Sequence, residues 1–394
     1  MRVGRWSVRC LVAMGISCSF LLYGTAGLAA SPPPASEPAP PHGIWVDVGP
    51  MPVPTEWPTT VRLRDGRVLL LGSGDSGDCC CIADVTVFDP VSGTWSTAAR
   101  QPEKRCGQAV ALLRSGEVLA AGGTGWDERT VSTPQRRSVL IYHPAQNRWT
   151  ATSPMHFKRS AAMAARLPDG KVLVAGGYRF RGGRRSAEIY HPATRTWRMT
   201  APMAAPHSAL IKLRNGDLLT SADSTGTPRR CAAERYVVRR HTWRPAGGYR
   251  AVCSRYPSEL FRLPSGHVMA ITLRSVHVYD PATNHWRRSP RIPPSALPVS
   301  IPSLNVEPVH GRPLALVSDL NCHPARSKAA GYLWRPAQHR WVWWTPVPRV
   351  LWGAASAVLT DGSIMLMGGV AGQLPCMGGT HIPTSYAYRY YPDR

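Results

Sequence analysis

One repeat constrains what this 394-residue chain can fold into, and residues 160–203 contain a complete copy of it. A first apolar run ends at the sequence PDG (168–170), and Asp-Gly is a strong hairpin signal. A second run, KVLVA, stops at the glycine pair 176–177, where residues without Cβ allow a close approach or a sharp turn. A third run, AEIYHP, ends at a proline that cannot donate to a ladder, and WRMT follows it. The unit is therefore predicted to form four short antiparallel strands.

The same unit recurs along most of the chain. The turn glycine is found at Gly66, Gly116, Gly170, Gly216, Gly266, Gly311 and Gly362. Downstream of six of these glycines an aromatic residue precedes a tryptophan by seven positions, in the pairs Phe88/Trp95, Tyr142/Trp149, Tyr190/Trp197, Tyr236/Trp243, Tyr279/Trp286 and Trp334/Trp341. Only the segment between the second and third strands varies much in length. Insertions confined to one loop of each repeat are expected of a radial or solenoidal array.

These residues resemble the kelch-repeat family of β-propellers over roughly residues 43–394. The resemblance rests on the Asp-Gly-type turn, the Gly-Gly doublet, the tyrosine and the spaced tryptophan. The doublet is kept at 122–123, 176–177 and 368–369, whereas blades four to six replace it with TSAD, ITLR and LVSD. The resemblance implies an all-β fold, a seven-bladed β-propeller of four-stranded antiparallel blades, with the central-domain architecture of galactose oxidase.

The closure of the ring can be predicted from the two ends of the repeat. The last unit reaches its aromatic residue at Tyr390, but the sequence stops at Arg394 before any tryptophan. Near the other end, Trp45 lies six residues before Met51, the same offset as from Trp149 to Met155. We therefore expect the strand around Trp45 to complete the seventh blade, which would close the ring and protect its edges.

The sequence also predicts how the chain is divided. Residues 1–30 read as a secretory signal peptide, with Arg2, Arg5 and Arg9 before an apolar segment and the small residues GLAA. An uncleaved membrane anchor is the alternative for this segment. Residues 31–42 form a Pro-rich linker and residues 43–394 the propeller. We expect a secreted or periplasmic protein with no membrane span after signal cleavage.

The net charge limits the choice of partners. The chain carries +24, and removal of the three arginines of the signal leaves +21. Such a surface attracts anions, including polyanionic glycans, lipopolysaccharide, anionic lipid or nucleic acid. The alternative is a generally basic surface that serves solubility. We expect an anionic glycan or an acidic protein or cell-surface partner, no specific nucleic acid, no cofactor and a monomeric protein.

Eight cysteines remain after removal of the signal, and an even number in an exported protein suggests disulfides. Their positions in adjacent repeats predict three bridges: Cys231 with Cys253, Cys322 with Cys376, and Cys106 with one of Cys79, Cys80 or Cys81. A metal site at the run 79–81 is the alternative, although the run lacks the paired Cys-x-x-Cys spacing of structural zinc.

Strand directions predict where a ligand would bind. The segment that leads into each blade and the loop between the second and third strands should share one face, and insertions there point to function. The candidate binding residues on this face are Trp57, Arg159, Arg181, Arg184, His207, Tyr256 and Trp352. Guanidinium groups beside aromatic rings suit a sugar that bears a carboxylate or sulfate. The alternative is solvated loop charge, with Trp57 and Trp352 plugging the channel.

The resemblance also raises two enzymatic alternatives. Galactose oxidase holds copper with two tyrosines and two histidines, one tyrosine being cross-linked to a cysteine. His207 and Cys106 resemble members of that set, but Pro206 stands where a tyrosine ligand is expected, so we predict no copper and no metal ligand. A second alternative resembles the kelch epimerases and mutarotases that act on sialic acid, with Glu56 as base and Arg159 as carboxylate clamp. The sequence favours a non-catalytic binding propeller over these enzymes and over a purely structural scaffold.

Overall fold

The computed structural model describes residues 42–72, 81–125, 134–177, 185–205, 207–222, 233–247, 259–272, 275–293, 301–320, 328–370 and 383–393. Its strands, in chain order, are β1 (Ile44–Asp47), β2 (Thr59–Arg62), β3 (Val68–Leu71), β4 (Val85–Asp89), β5 (Thr94–Ala98), β6 (Ala109–Leu112), β7 (Val118–Ala121), β8 (Val139–His143), β9 (Arg148–Thr152), β10 (Met163–Arg166), β11 (Val172–Ala175), β12 (Ala187–His191), β13 (Thr196–Thr200), β14 (His207–Lys212), β15 (Leu218–Ala222), β16 (Glu234–Val237), β17 (Thr242–Pro245), β18 (Glu259–Arg262), β19 (Val268–Ile271), β20 (Val276–Asp280), β21 (His285–Ser289), β22 (Ile301–Val309), β23 (Arg312–Leu320), β24 (Lys328–Arg335), β25 (Arg340–Pro346), β26 (Ala355–Val358), β27 (Ile364–Met367) and β28 (Ala387–Tyr391). Short 3-10 turns lie at Val238–Arg240 and Pro336–Gln338.

The strands form seven four-stranded antiparallel sheets. Blades one to six take their strands consecutively from β2–β5, β6–β9, β10–β13, β14–β17, β18–β21 and β22–β25. Blade seven combines β26, β27 and β28 with β1 on its outside. The innermost strand of each blade packs against that of the next, and β26 packs against β2, so the ring is closed. The predicted seven-bladed propeller, with the strand around Trp45 completing the last blade, is confirmed.

The seven-residue offset in the sequence is a cross-strand pair in the structure. Tyr190 on β12 lies directly opposite Trp197 on β13, with ring centroids 5.0 Å apart. Tyr390 lies opposite Trp45 in the same way, again at 5.0 Å. The indole N–H of Trp197 donates to the Ser153 carbonyl of the preceding blade at 2.8 Å. The repeat tryptophan therefore packs within its own blade and also joins that blade to its neighbour.

Apolar cores lie between adjacent blades. One of them combines Leu119 and Ile141 of blade two with Val174 and Tyr190 of blade three, and includes the fully buried Met155. The six-residue offset from Trp149 to Met155 thus carries the chain from the outer strand of one blade to the interface with the next. The second strands β3, β7, β11, β19 and β27 are buried along their whole length, so burial of apolar surface stabilises each interface that they form.

Most first-to-second-strand turns share one geometry. In the loop 168–170, the Gly170 N–H donates to the Leu167 carbonyl at 3.0 Å, and Gly170 has a φ of +91°. This is a three-residue hairpin loop in which glycine supplies the left-handed position. Blade six departs from this geometry, because His310 and Gly311 both have positive φ, at +51° and +74°, between paired strands of nine residues each. Gly311 recurs in the sequence pattern but belongs to a two-residue turn.

The regular elements run from Ile44 to Tyr391, within the predicted propeller range. The predicted signal peptide and nearly all of the Pro-rich linker lie outside the described residues, so both remain predictions. In the part of the chain that the structure describes, no helix is both long and apolar enough to cross a membrane.

Candidate binding site at the channel mouth

The two faces of the propeller are built from different connections. Turns between first and second strands and between third and fourth strands lie on one side, which we call the hairpin face. The lead-in segments and the second-to-third connections lie on the other side, the channel-mouth face. In blade two, Cys106, Thr124 and Gln135 are joined by isolated antiparallel bridges. In blade seven, Trp352, Val370 and Pro383 are joined in the same manner. The lead-in segments and the flanks of the long loops are therefore neighbours, as strand direction predicts.

The rim of the channel has a repeated backbone conformation. The residue nine positions before the turn glycine has a positive φ in four blades: Trp57 (+52°), Gly107 (+59°), Ala161 (+49°) and Gly353 (+69°). The Trp57 N–H donates to the Gly353 carbonyl at 2.8 Å, joining blades seven and one. The Ala161 N–H donates to the Gly107 carbonyl at 2.7 Å, joining blades two and three. The rim is thus fixed by hydrogen bonds between the lead-in segments of adjacent blades.

Among the described residues of this rim, Trp57 is a large exposed aromatic side chain, with 51% of its surface accessible. Its ring lies over Gly353, where a Cβ atom would come within 2.8 Å of Trp57 Cε2. The half-buried Trp352 meets it edge-on, with ring centroids 4.8 Å apart and an interplanar angle of 83°. The structure therefore brings together two of the aromatic residues that the sequence predicts for the binding face.

Arg159 is placed beneath the mouth, with only 1% of its surface accessible. Its Nη2 donates to Glu188 Oε1 at 2.9 Å, and its Nη1 donates to the carbonyls of Gly176 and Ser186 at 2.9 and 2.7 Å. Burial lowers the pKa of the Arg159 guanidinium, and the hydrogen bond to Glu188 opposes that shift. These contacts occupy the Arg159 guanidinium with partners inside blade three, whereas the epimerase-like alternative would use it to bind a substrate carboxylate.

His207 has a similar environment in blade four. Its Nε2–H donates to Glu234 Oε2 at 2.6 Å, and both side chains are buried. The Glu234 carboxylate also accepts hydrogen bonds from the backbone N–H groups of Ala204 and Ala205. This carboxylate therefore orders the chain that leads into blade four, and His207 contributes to that structural contact.

Glu188 and Glu234 are the residues that the sequence reasoning missed. Each stands two positions before the repeat tyrosine, on the buried face of a third strand, in AEIYH and AERYV. An acidic residue in an otherwise apolar strand signals a buried partner, since unpaired charge is costly to bury. Arg105, eleven residues before its turn glycine as Arg159 is, also donates to two carbonyls, those of Gly122 and Ser138, and pairs with Glu103.

One of the three predicted bridges lies within the described residues. Cys106 is disulfide-bonded to Cys81, with Cα atoms 5.0 Å apart, so the prediction that Cys106 pairs within the run 79–81 is confirmed. The remaining predicted bridge cysteines, and three of the predicted binding residues, lie outside the described residues and stay predictions: Cys231, Cys253, Cys322 and Cys376, and Arg181, Arg184 and Tyr256.

The channel interior contains a second group of polar residues. Glu259 on β18 and Glu307 on β22 come from the innermost strands of blades five and six. Burial raises the pKa of each carboxyl to about 7, and the charge of Glu259 further raises that of Glu307. Ser356 Oγ, from β26 of blade seven, donates to Glu307 Oε1 at 2.5 Å. The two carboxyls therefore lie close enough for their charges to interact, and both change protonation state near neutral pH.

Comparison with known proteins agrees with this architecture. Residues 160–204 match the Kelch motif. A solved structure described as a novel fungal alcohol oxidase with catalytic diversity among the AA5 family, in complex with copper, is similar to this chain with a TM-score of 0.65. The similarity covers 89% of this chain and 76% of that one at 16% sequence identity, so it shows the fold alone. No curated protein sequence matches the chain significantly.

The side chains that the structure describes do not fit the copper site that the galactose oxidase resemblance implies. Cys106, which resembles the cysteine of the tyrosine cross-link, is bonded instead to Cys81. His207 is buried, and its Nε2 is engaged by Glu234. Among the described residues, no group of three or more histidine, cysteine, aspartate or glutamate side chains is arranged to hold a metal ion.

Proposed function

We propose that this protein is an extracytoplasmic binding propeller that recognises an anionic glycan, or another acidic partner, at its channel-mouth face. The Kelch motif and the propeller fold fit a binding or interaction role. The observation that carries the proposal is the exposed ring of Trp57, which packs on Gly353 and meets Trp352 edge-on at the channel-mouth face. An accessible aromatic ring at a concave mouth is a common feature of ligand sites.

Charge supports an acidic ligand. The chain has 47 lysine and arginine residues against 23 aspartate and glutamate residues. Several arginines are occupied by the fold, as Arg159 and Arg105 show on the channel-mouth side. On the hairpin side, Arg114 and Arg214 donate to the carbonyls of Pro168 and Pro264 in the next blade. Arg179, Arg181 and Arg184 of the sequence YRFRGGRRS are therefore our candidates for ligand contacts, whereas Arg185 donates to the Met203 carbonyl.

A glycan array probed with the secreted domain at low and high salt tests the proposal. A shaped site retains its selectivity as ionic strength rises, whereas diffuse charge attraction is screened. The informative pair of changes is Arg181→Ala with Arg184→Ala. We expect it to weaken binding of the selected glycan about tenfold or more, because a bidentate guanidinium–carboxylate contact is short and charge-assisted.

The control pair should change the same net charge on the hairpin face. Arg239→Ala with Arg240→Ala meets this requirement, because both residues are exposed in the 3-10 turn Val238–Arg240. Arg62 is unsuitable as a control because its Nη1 donates to the Val358 carbonyl at 3.0 Å between blades one and seven. Equal weakening by both pairs, or no selected glycan at either salt concentration, would refute a shaped anion site.

A small-sugar enzyme is the second candidate, and one observation favours it. Burial raises the pKa of Glu56, which lies next to Trp57 on the rim and could exchange protons with a bound sugar. The other partner of that interpretation, Arg159, is occupied by Glu188. Incubation of sialic acid or a uronic acid with the protein in D₂O, followed by NMR, distinguishes the two candidates. Anomer interconversion or deuterium incorporation that Glu56→Gln abolishes would favour the enzyme.

A further inference from the structure

The backbone of Trp57 is unusual for its residue type. A φ of +52° is a left-handed conformation that bulky residues rarely adopt and that costs about 1–3 kcal/mol where it occurs. The equivalent positions of blades two, three and seven hold Gly107, Ala161 and Gly353, and the two glycines adopt this conformation without strain. The rim geometry is therefore satisfied by small residues, and the fold does not need a tryptophan at this place.

The surroundings of the ring explain what a tryptophan adds. One face of the indole covers Gly353 so closely that a Cβ there would lie 2.8, 2.9 and 3.2 Å from three ring atoms. Trp352 packs edge-on at 83° and forms a side wall. Half of the Trp57 surface remains accessible on the channel-mouth face. The indole is thus supported on one face, restrained at its edge and open to solvent.

We propose that Trp57 is a stacking platform for a pyranose ring that carries a carboxylate. This inference rests on the proposed function and specifies its ligand class. The C–H groups on one face of a sugar ring pack against the electron-rich π face of an indole. The carboxylate is attracted by the strongly basic chain. A planar, rigid side chain loses little conformational entropy when it binds a ligand, which favours tryptophan as a binding surface.

Three substitutions and one control test the platform. Trp57→Ala should leave the fold intact, because Ala161 already occupies the equivalent position at a φ of +49°. Trp57→Phe keeps an aromatic face. Gly353→Ala places a methyl group where the indole rests, and so should displace the ring without removing it; at a φ of +69° it also adds backbone strain, which the melting temperature reports. Val91→Ala is the matched control, since Val91 is 91% exposed in a third-to-fourth-strand turn on the hairpin face.

The test measures binding of a galacturonic acid tetrasaccharide, inorganic polyphosphate of matched charge and a short oligothymidylate, each by calorimetry, together with the melting temperature. We expect Trp57→Ala and Gly353→Ala to weaken tetrasaccharide binding about tenfold or more, and Trp57→Phe to weaken it only a few-fold. Polyphosphate binding should be unchanged in all three variants. Trp57→Ala should melt close to the wild-type temperature, because alanine keeps the same left-handed backbone and only a half-exposed side chain is lost.

The possible outcomes distinguish a failure of the stacking platform from a failure of the anion site. If Trp57→Ala binds the tetrasaccharide as wild type does while Arg181→Ala with Arg184→Ala loses it, the platform is wrong and the anion site stands. If oligothymidylate binding depends on Trp57 more strongly than tetrasaccharide binding does, the sugar assignment is wrong. If wild-type protein binds none of the three probes, the proposed function fails and this inference fails with it. A loss shared by Val91→Ala would also contradict the platform.

Discussion

Trp45 lies directly opposite Tyr390 across 345 residues of chain, and this pair closes the propeller. The Tyr390 hydroxyl donates to the His42 carbonyl at 2.6 Å and accepts from Trp344 Nε1 at 2.8 Å. Burial raises the pKa of Tyr390 to about 12, so the phenol remains a donor at physiological pH. His42 stacks on Trp344 with ring centroids 3.9 Å apart. The first described residues are therefore anchored to blades six and seven together.

Removal of this closure should destabilise the whole ring. Deletion of residues 43–52 is expected to lower the melting temperature severely, because it removes β1 and opens the edge of blade seven. Trp45→Ala alone should cost about 2–4 kcal/mol of unfolding free energy, since the half-buried indole packs on Tyr390. Ile44→Ala, on the same strand but 68% exposed, is the control and should change stability by about 0.5 kcal/mol or less. A deletion variant that melts like the intact protein would exclude this closure.

The sequence was most informative where the repeat is local. The spacing between Tyr190 and Trp197 fixes a hairpin of two adjacent strands, and the same spacing recurs in the other blades. The pairing of Trp45 with Tyr390 could be predicted because the last repeat lacks its fourth strand and an extra strand precedes the first repeat. The burial of Arg159 could not be predicted from the repeat in this way. Its partner Glu188 follows a loop of variable length, so strand direction could give the face but not the depth of the arginine.

The rim shows a signal that could have been found. Gly107, Ala161 and Gly353 at one repeat position indicate a left-handed backbone, against which Trp57 stands out. The approach of Glu259 and Glu307 had no comparable signal. They come from different blades, and no periodic feature of the sequence marks either residue. Contacts between innermost strands depend on the geometry of the closed ring, which local patterns do not determine.

The buried ion pair of Arg159 and Glu188 should contribute to stability and to no ligand contact. Arg159→Met is expected to cost about 3–5 kcal/mol, because it removes the buried cation of the pair and leaves Glu188 only the half-exposed His156 and two backbone N–H groups as partners. The double variant Arg159→Met with Glu188→Met should be less destabilised than Arg159→Met alone. Urea unfolding measures both. If the Arg159→Met protein has wild-type stability but binds the glycan more weakly, Arg159 contacts the ligand and this prediction is wrong.

The Cys81–Cys106 bridge should stabilise the lead-in segment of blade two. It closes a span of 25 residues, and bridges of this kind contribute about 2–4 kcal/mol. Cys106→Ser should therefore lower the unfolding free energy by about that amount in oxidising buffer. Non-reducing peptide mapping of the wild-type protein should recover the two cysteines in one linked fragment. A free thiol at Cys106 in secreted protein would contradict the bridge.

The channel glutamates predict a loss of stability as pH rises toward neutrality. The pKa values of Glu259 and Glu307 rise from an ordinary 4.5 to about 7 in the folded protein. Between these values the folded state binds more protons than the unfolded state, so the unfolding free energy falls as pH increases. Above about pH 7 both carboxyls are charged in both states, and this contribution becomes constant.

Glu307→Gln mimics the protonated carboxyl and should remove its share of this effect. The variant and the wild type should have similar stability at pH 4.5, and the variant should be more stable by about 1–2 kcal/mol at pH 8. This figure follows from about 1.4 kcal/mol per pKa unit, reduced because water reaches the half-buried side chains. Asp47→Asn, which removes an exposed carboxylate on the outer strand β1, is the control. Chemical unfolding at several pH values measures the difference. If the curves of Glu307→Gln and wild type stay parallel from pH 4.5 to 8, the carboxyls do not titrate in the folded channel as predicted.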